Sequence, residues 1–136
     1  MSTSTQVYVK DKLYGWLPAN VLSSDDKISK VKVFIPGKKD DDSDETQEER
    51  EVKLKDYSGG TLPLQNVNEN GHLIQMADMC DLPYLHEAAI VYNLRARHRE
   101  KNPYTRVGDI VIAVNPFQVS LQPEPLAISC WVKQCI

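Results

Sequence analysis

Apolar and polar residues alternate in Ile28-Ser-Lys-Val31-Lys-Val33-Phe-Ile35 and in Val52-Lys-Leu54-Lys, the two-residue period of strands with one face on a core and one in water. Val7-Tyr8-Val9 and the run Trp16 to Leu22 add two more strand signals, so strands are expected at Val7–Val9, Trp16–Leu22, Ile28–Ile35 and Glu51–Lys55. Residues that favour turns or end strands separate them: Tyr14-Gly15, Ser23-Ser24-Asp25-Asp26 and Pro36-Gly37. Short meandering strands packed this closely predict a small closed or nearly closed barrel, the architecture that hides strand edges.

Between the third and fourth strands, Gly37 to Arg50 has no apolar residue to bury and carries mostly acidic charge, which predicts a solvated hairpin loop. Calcium binding and phosphorylation at Ser43 or Thr46 are the sharper alternatives. The carboxylates lack the interleaved Gly and closing Glu of a calcium loop. After Ser58-Gly59-Gly60 the pattern dissolves, and Thr61 to Ala77 reads as an irregular connector with a turn at Asn68-Glu-Asn-Gly71. A helix is expected next, with Asp81 as N-cap, Pro83 just inside, and Leu85, Ala88, Ala89, Tyr92 and Ala96 on one stripe, ending near Arg99. Asn102-Pro103 stops it, and Tyr104 to Val114 predicts a hairpin turning at Val107-Gly108-Asp109. Ile110 to Val114 is apolar on both faces, the signature of a strand inside a sheet covered on both sides. A two-stranded hairpin and a single short helix are each marginal in water without partners.

Composition narrows the function classes. The 136 residues are 41% hydrophobic and 26% charged with a formal net charge of -3, so there is no basic field for nucleic acid or anionic lipid. The first residues form no leader-like pattern, and no stretch approaches the ~20 apolar residues of a membrane span, so a cytoplasmic location and no membrane insertion are expected. Cys80, Cys130 and Cys135, with the isolated His72, His86 and His98, show no zinc-site spacing, and reduced thiols are expected.

Three segments in order resemble the N-terminus of myosin heavy chains. Val7-Tyr8-Val9 through Gly15-Trp16-Leu17-Pro18-Ala19-Asn20-Val21 is similar to the family's N-terminal SH3-like barrel, although Trp is more usual where Tyr8 stands. Asp81-Leu-Pro-Tyr-Leu-His-Glu-Ala-Ala-Ile-Val-Tyr-Asn-Leu-Arg-Ala-Arg97 resembles a motor-domain helix with the Asn-Leu-Arg pattern. Tyr104 to Gln118 resembles the strand pair leading into the family's Asn-Pro purine-pocket loop.

The resemblance implies a mainly β chain: an SH3-like barrel at 7–57, a linker at 58–80, and at 81–118 the start of a motor domain, an incomplete α/β fragment of one helix and a β-hairpin. Residues 119–136 are unmatched. In the family a basic and then an aromatic residue follow Asn-Pro, whereas Val119 and Pro123 stand there. A missed splice junction, a truncated reading frame or a genuine short isoform would each produce that change.

The implied function is that of an actin-based, ATP-driven cytoskeletal motor. ATP and magnesium serve the complete motor, actin and the remainder of the motor domain are its partners, and Asn115 and Pro116 lie at the rim of its purine pocket. No Gly-x-x-x-x-Gly-Lys-Ser/Thr loop occurs in these residues, so no catalytic residue and no ATP hydrolysis by the chain alone are expected. Adenine has about ten heavy atoms, and at ~0.3 kcal/mol each its rim contributes on the order of 3 kcal/mol, weaker than millimolar. The alternative function is a non-enzymatic SH3-like interaction module with a vestigial motor segment. Other candidate chemistry reads as structure: His86 and Glu87 diverge by ~100° on a helix, Trp16 and Tyr8 suit barrel packing better than a peptide groove, and Arg95 to Arg99 suit a solvated helix end.

Overall fold

The computed structural model describes residues 4–37 and 45–115, and the chain divides after Leu73 into two compact units. In the first, four antiparallel strands, β1 (Gln6–Asp11), β2 (Gly15–Ser24), β3 (Ile28–Ile35) and β4 (Thr46–Lys53), form a meander in the order β1-β2-β3-β4. Their inward residues Val7, Val9, Leu17, Ala19, Val31 and Val33 are buried, and Val21, Ile35, Val52, Leu62 and Leu64 pack around them. This is the two-residue period of the sequence made solid. The β2–β3 register shifts between Val21 and Ser23, but β3 keeps its period, so Ser29 faces inward with Val31 and Val33, and its Oγ donates to the Ser23 carbonyl at 3.2 Å.

The sheet is coiled on itself. Asp11 lies opposite Gly15 on β2, while Arg50 lies opposite Val31, which lies opposite Val21. In a flat sheet those registers would put Asp11 and Arg50 about 20 Å apart along the strands and about 14 Å apart across them. Instead Arg50 Nη1 donates to Asp11 Oδ2 at 2.8 Å. Beside this pair the Lys10 N–H donates to Tyr57 Oη at 2.9 Å, and Lys10 Nζ donates to the Asp56 carbonyl at 2.8 Å. Side chains and the end of β4 therefore draw the two edges together, and the ladder between β1 and β4 stays open.

The same edge of β1, the one away from β2, is taken further along by residues expected to be connector. Tyr8 N–H donates to the Pro63 carbonyl at 2.8 Å, Gln65 N–H donates to the Gln6 carbonyl at 3.0 Å, and Gln65 Nε2 reaches the Val7 carbonyl at 2.6 Å. The expected turn at Asn68 to Gly71 is present, with Gly71 at φ +79° donating its N–H to the Asn68 carbonyl.

β4 starts at Thr46, inside the stretch expected to be a solvated loop, and ends at Lys53, with Leu54–Asp56 forming a 3-10 turn. An edge strand needs a ladder partner more than an apolar face. Glu49 faces Lys32 and Glu51 faces Lys30, whose Nζ lies 3.5 Å from the Glu51 carboxylate. Ser43 lies outside the described residues, and Thr46 is an exposed strand residue.

The second unit contains a 3-10 turn at Met79–Asp81, helix α1 (Glu87–Arg99) and a hairpin of β5 (Tyr104–Val107) and β6 (Ile110–Ala113). The helix begins later than the sequence implied. Asp81 belongs to the 3-10 turn, and the cap is His86, whose extended backbone breaks the helix and whose Nδ1 accepts the Ala89 N–H at 3.1 Å. Leu85 therefore precedes the helix and is exposed, and the buried stripe is Ala88, Ala89 and Asn93. At the other end Lys101 N–H donates to the His98 carbonyl and Asn102 N–H to the Arg97 carbonyl, with Lys101 at φ +62°. This is a Schellman stop with lysine where glycine is usual.

The hairpin turns through Gly108 and Asp109, Gly108 at φ +61°, and Val107 faces Ile110 across it. Ile110 on β6 is 66% exposed, in line with an apolar run for which the rest of this chain offers no cover.

Candidate functional site

Asn115 is the last described residue, exposed just past β6, and Pro116 lies outside the described residues. What fixes the Asn115 corner begins one residue earlier. The Val114 N–H donates to the Pro103 carbonyl at 2.8 Å, extending the β5–β6 ladder to the point where the chain leaves it.

That hairpin is held to α1 by two polar grips. Arg97, on the last turn of α1, donates from Nε to Thr105 Oγ1 at 2.9 Å and from Nη2 to the Tyr104 carbonyl at 3.0 Å. Thr105 is only 1% exposed, so its hydroxyl accepts in a nearly dry setting. The second grip is indirect. Asn93, buried on α1, accepts the Met76 N–H at 2.7 Å and donates to the Met76 carbonyl at 3.0 Å. The strap that follows Met76 pairs with the hairpin: the Arg106 N–H donates to the Ala77 carbonyl at 2.8 Å, and Asp78 bridges Arg106 in parallel. Asp78 Oδ1 then accepts the Gly108 N–H at 3.1 Å and the Cys80 N–H at 3.0 Å. These backbone donors, Gly108 first, hold the Asp78 carboxyl below the usual carboxylate range.

Sequence reasoning missed both grips. By sequence Arg97 belongs to a solvated helix end, and Asn93 falls among the apolar residues of the helical stripe. The available signal was the Asn itself, since a residue with two donors and an acceptor on a helix's buried face must be partnered. Nothing in the sequence separates Arg97 from Arg95 or Arg99.

The remaining candidates resolve into structure. His86 Nδ1 accepts a backbone proton at the head of α1, so that nitrogen is not available as a base toward Glu87. Tyr8 is 1% exposed, whereas Trp16 lies half-buried at 6.3 Å from Tyr57, with the Lys10 ammonium 5.9 Å and 5.4 Å from the two rings. Tyr8 and Trp16 thus form no shared exposed groove. Burial raises the Tyr57 hydroxyl pKa above its ordinary value. Among the described residues no three His, Cys, Asp or Glu side chains gather as a metal site, and no helix is long and apolar enough to cross a membrane.

The family model described as myosin head (motor domain) matches residues 76–124. Over 113 residues, 83% of this chain, it is 35% identical to Myosin-15 of Arabidopsis thaliana, and over 113 residues, 82% of the chain, 32% identical to Myosin-J heavy chain of Dictyostelium discoideum. It is also 34% identical over 111 residues, 78% of the chain, to Myosin-VIIa of Drosophila melanogaster. The chain belongs to the myosin family. It covers 6%, 4% and 5% of those three relatives' lengths. In this myosin the matched stretch starts at Met76, the residue that Asn93 grips, and takes in the strap, α1, the hairpin and Asn115.

Proposed function

We propose that this chain supplies the opening of an actin-based, ATP-driven motor, and that Asn115 and Pro116 form one rim of that motor's purine pocket. What supports the reading is a match to the myosin head family over residues 76–124, a span that takes in α1, the hairpin and Asn115. A side-chain amide carries adjacent donor and acceptor atoms, the pair an adenine edge requires, and Asn115 is exposed just past β6. The residues present fit adenine only. Nothing among all 136 residues has the glycine-and-lysine pattern that cradles a triphosphate, so ATP and magnesium belong to the complete motor and these residues alone hydrolyse no ATP. The first unit, with its coiled meander at 7–57, is read as the family's SH3-like barrel, actin and the rest of the motor as partners, and the cytoplasmic cytoskeleton as the location.

The test is a complete myosin head in which the matching stretch is replaced by residues 76–115 of this chain. Actin-stimulated Mg·ATP hydrolysis is expected to persist, and Asn115→Ala in that head is expected to raise KM for ATP several-fold with kcat nearly unchanged. A folded chimera without activity, or a KM indifferent to Asn115, contradicts the reading.

A further inference from the structure

We propose that Arg97 is a positioning residue for the nucleotide rim, its guanidinium setting where the β5–β6 hairpin presents Asn115; the inference rests on the purine-rim reading above. The geometry is a short chain of contacts. Arg97 is anchored in the last turn of α1, and its planar fork takes two acceptors on consecutive residues, Thr105 Oγ1 at 2.9 Å and the Tyr104 carbonyl at 3.0 Å. One residue before Tyr104, the Pro103 carbonyl accepts the Val114 N–H at 2.8 Å, and Asn115 follows directly. The path from helix to Asn115 thus contains no loop: guanidinium, start of β5, one ladder bond, Asn115. An isolated two-stranded hairpin is marginal in water, so the end carrying Asn115 frays unless something holds β5.

The acceptor in this grip is a hydroxyl, and that separates positioning from packing. Thr105 is 1% exposed. If the residue only filled space, Val would replace it with little loss and Ser, lacking a methyl, would be the worse substitute. If its Oγ1 is what Arg97 holds, the order reverses: Ser keeps the acceptor, and Val takes it away from the part-buried Arg97 Nε–H.

The experiment is amide hydrogen exchange on the full 136-residue chain, comparing Val114 with the Asn93 amide inside α1. Thr105→Val and Arg97→Ala are expected to speed Val114 exchange at least ~10-fold relative to Asn93, and Thr105→Ser to leave it near wild type. Val114 exchange unchanged in Thr105→Val, or faster in Thr105→Ser than in Thr105→Val, overturns the inference. Should Arg97→Ala fail to fold, the two Thr105 variants decide the matter without it. The underlying reading fails differently: if the hairpin loosens in Thr105→Val while KM for ATP in the chimeric head does not move, Asn115 is not at the purine rim and Arg97 still positions the hairpin.

Discussion

The side-chain amide of Asn93 pairs with the backbone of Met76 in both directions, at 2.7 and 3.0 Å, as a neighbouring strand would. A helix is thereby joined to an extended strap without any backbone ladder between them, and the strap in turn pairs with β5. Asn93 is 2% exposed, so water cannot substitute for it.

Asn93→Leu is expected to destabilise the second unit by about 2 kcal/mol, because it removes both bonds to the half-buried Met76 backbone and takes two polar partners away at once. The amide signals of residues 87–113 followed through urea would show it as a lowered midpoint. An unchanged midpoint would mean that the strap is held by other contacts.

Asp11 accepts from Arg50 at 2.8 Å, from Leu13 N–H at 2.8 Å and from Tyr14 N–H at 3.0 Å. The Arg50 hydrogen bond, and then those of the turn, hold its carboxyl below the ordinary range. Because the folded-state pKa is the lower one, this stabilisation is complete above the ordinary aspartate value of about 3.9 and is lost as pH falls through the folded value. Asp11→Asn keeps the turn acceptor and loses the charge. The variant should melt below wild type at pH 7, with the gap closing in acid below the folded-state pKa. A gap that does not narrow as the pH is lowered would assign the loss to packing.

Lys101 sits at φ +62° in the stop after α1. Lys101→Gly relieves left-handed strain while loosening the unfolded chain, so a net gain of about 0.5 kcal/mol is expected. Thermal unfolding of the second unit should shift upward. A downward shift would show that the lysine side chain makes a favourable contact with the helix end that outweighs its strain.

Much of the first unit was legible. Val31, Val33 and Ile35 face inward on the predicted period, and Ile28, an even-numbered position on the opposite face of the same strand, is exposed. The start of β4 was not legible, because an edge strand of Thr, Gln, Glu and Arg is specified by its partner's open amides and facing lysines, and no local period carries that information. The head of α1 was misplaced for a similar reason: Asp81 and Pro83 are good starting residues, but Asp78 had already capped a 3-10 turn there and His86 served as the cap. The Asn115 corner was legible as a strand end, whereas the grips behind it depend on Asn93 and Arg97 meeting Met76 and Thr105 in space.

On the proposed reading these residues offer an adenine rim and hold no cradle for phosphates. Calorimetric titration of Mg·ATP into the full 136-residue chain tests it most directly. No saturation up to millimolar nucleotide is expected, since a rim contributing on the order of 3 kcal/mol binds more weakly than that. A saturating isotherm at micromolar Mg·ATP would contradict the account.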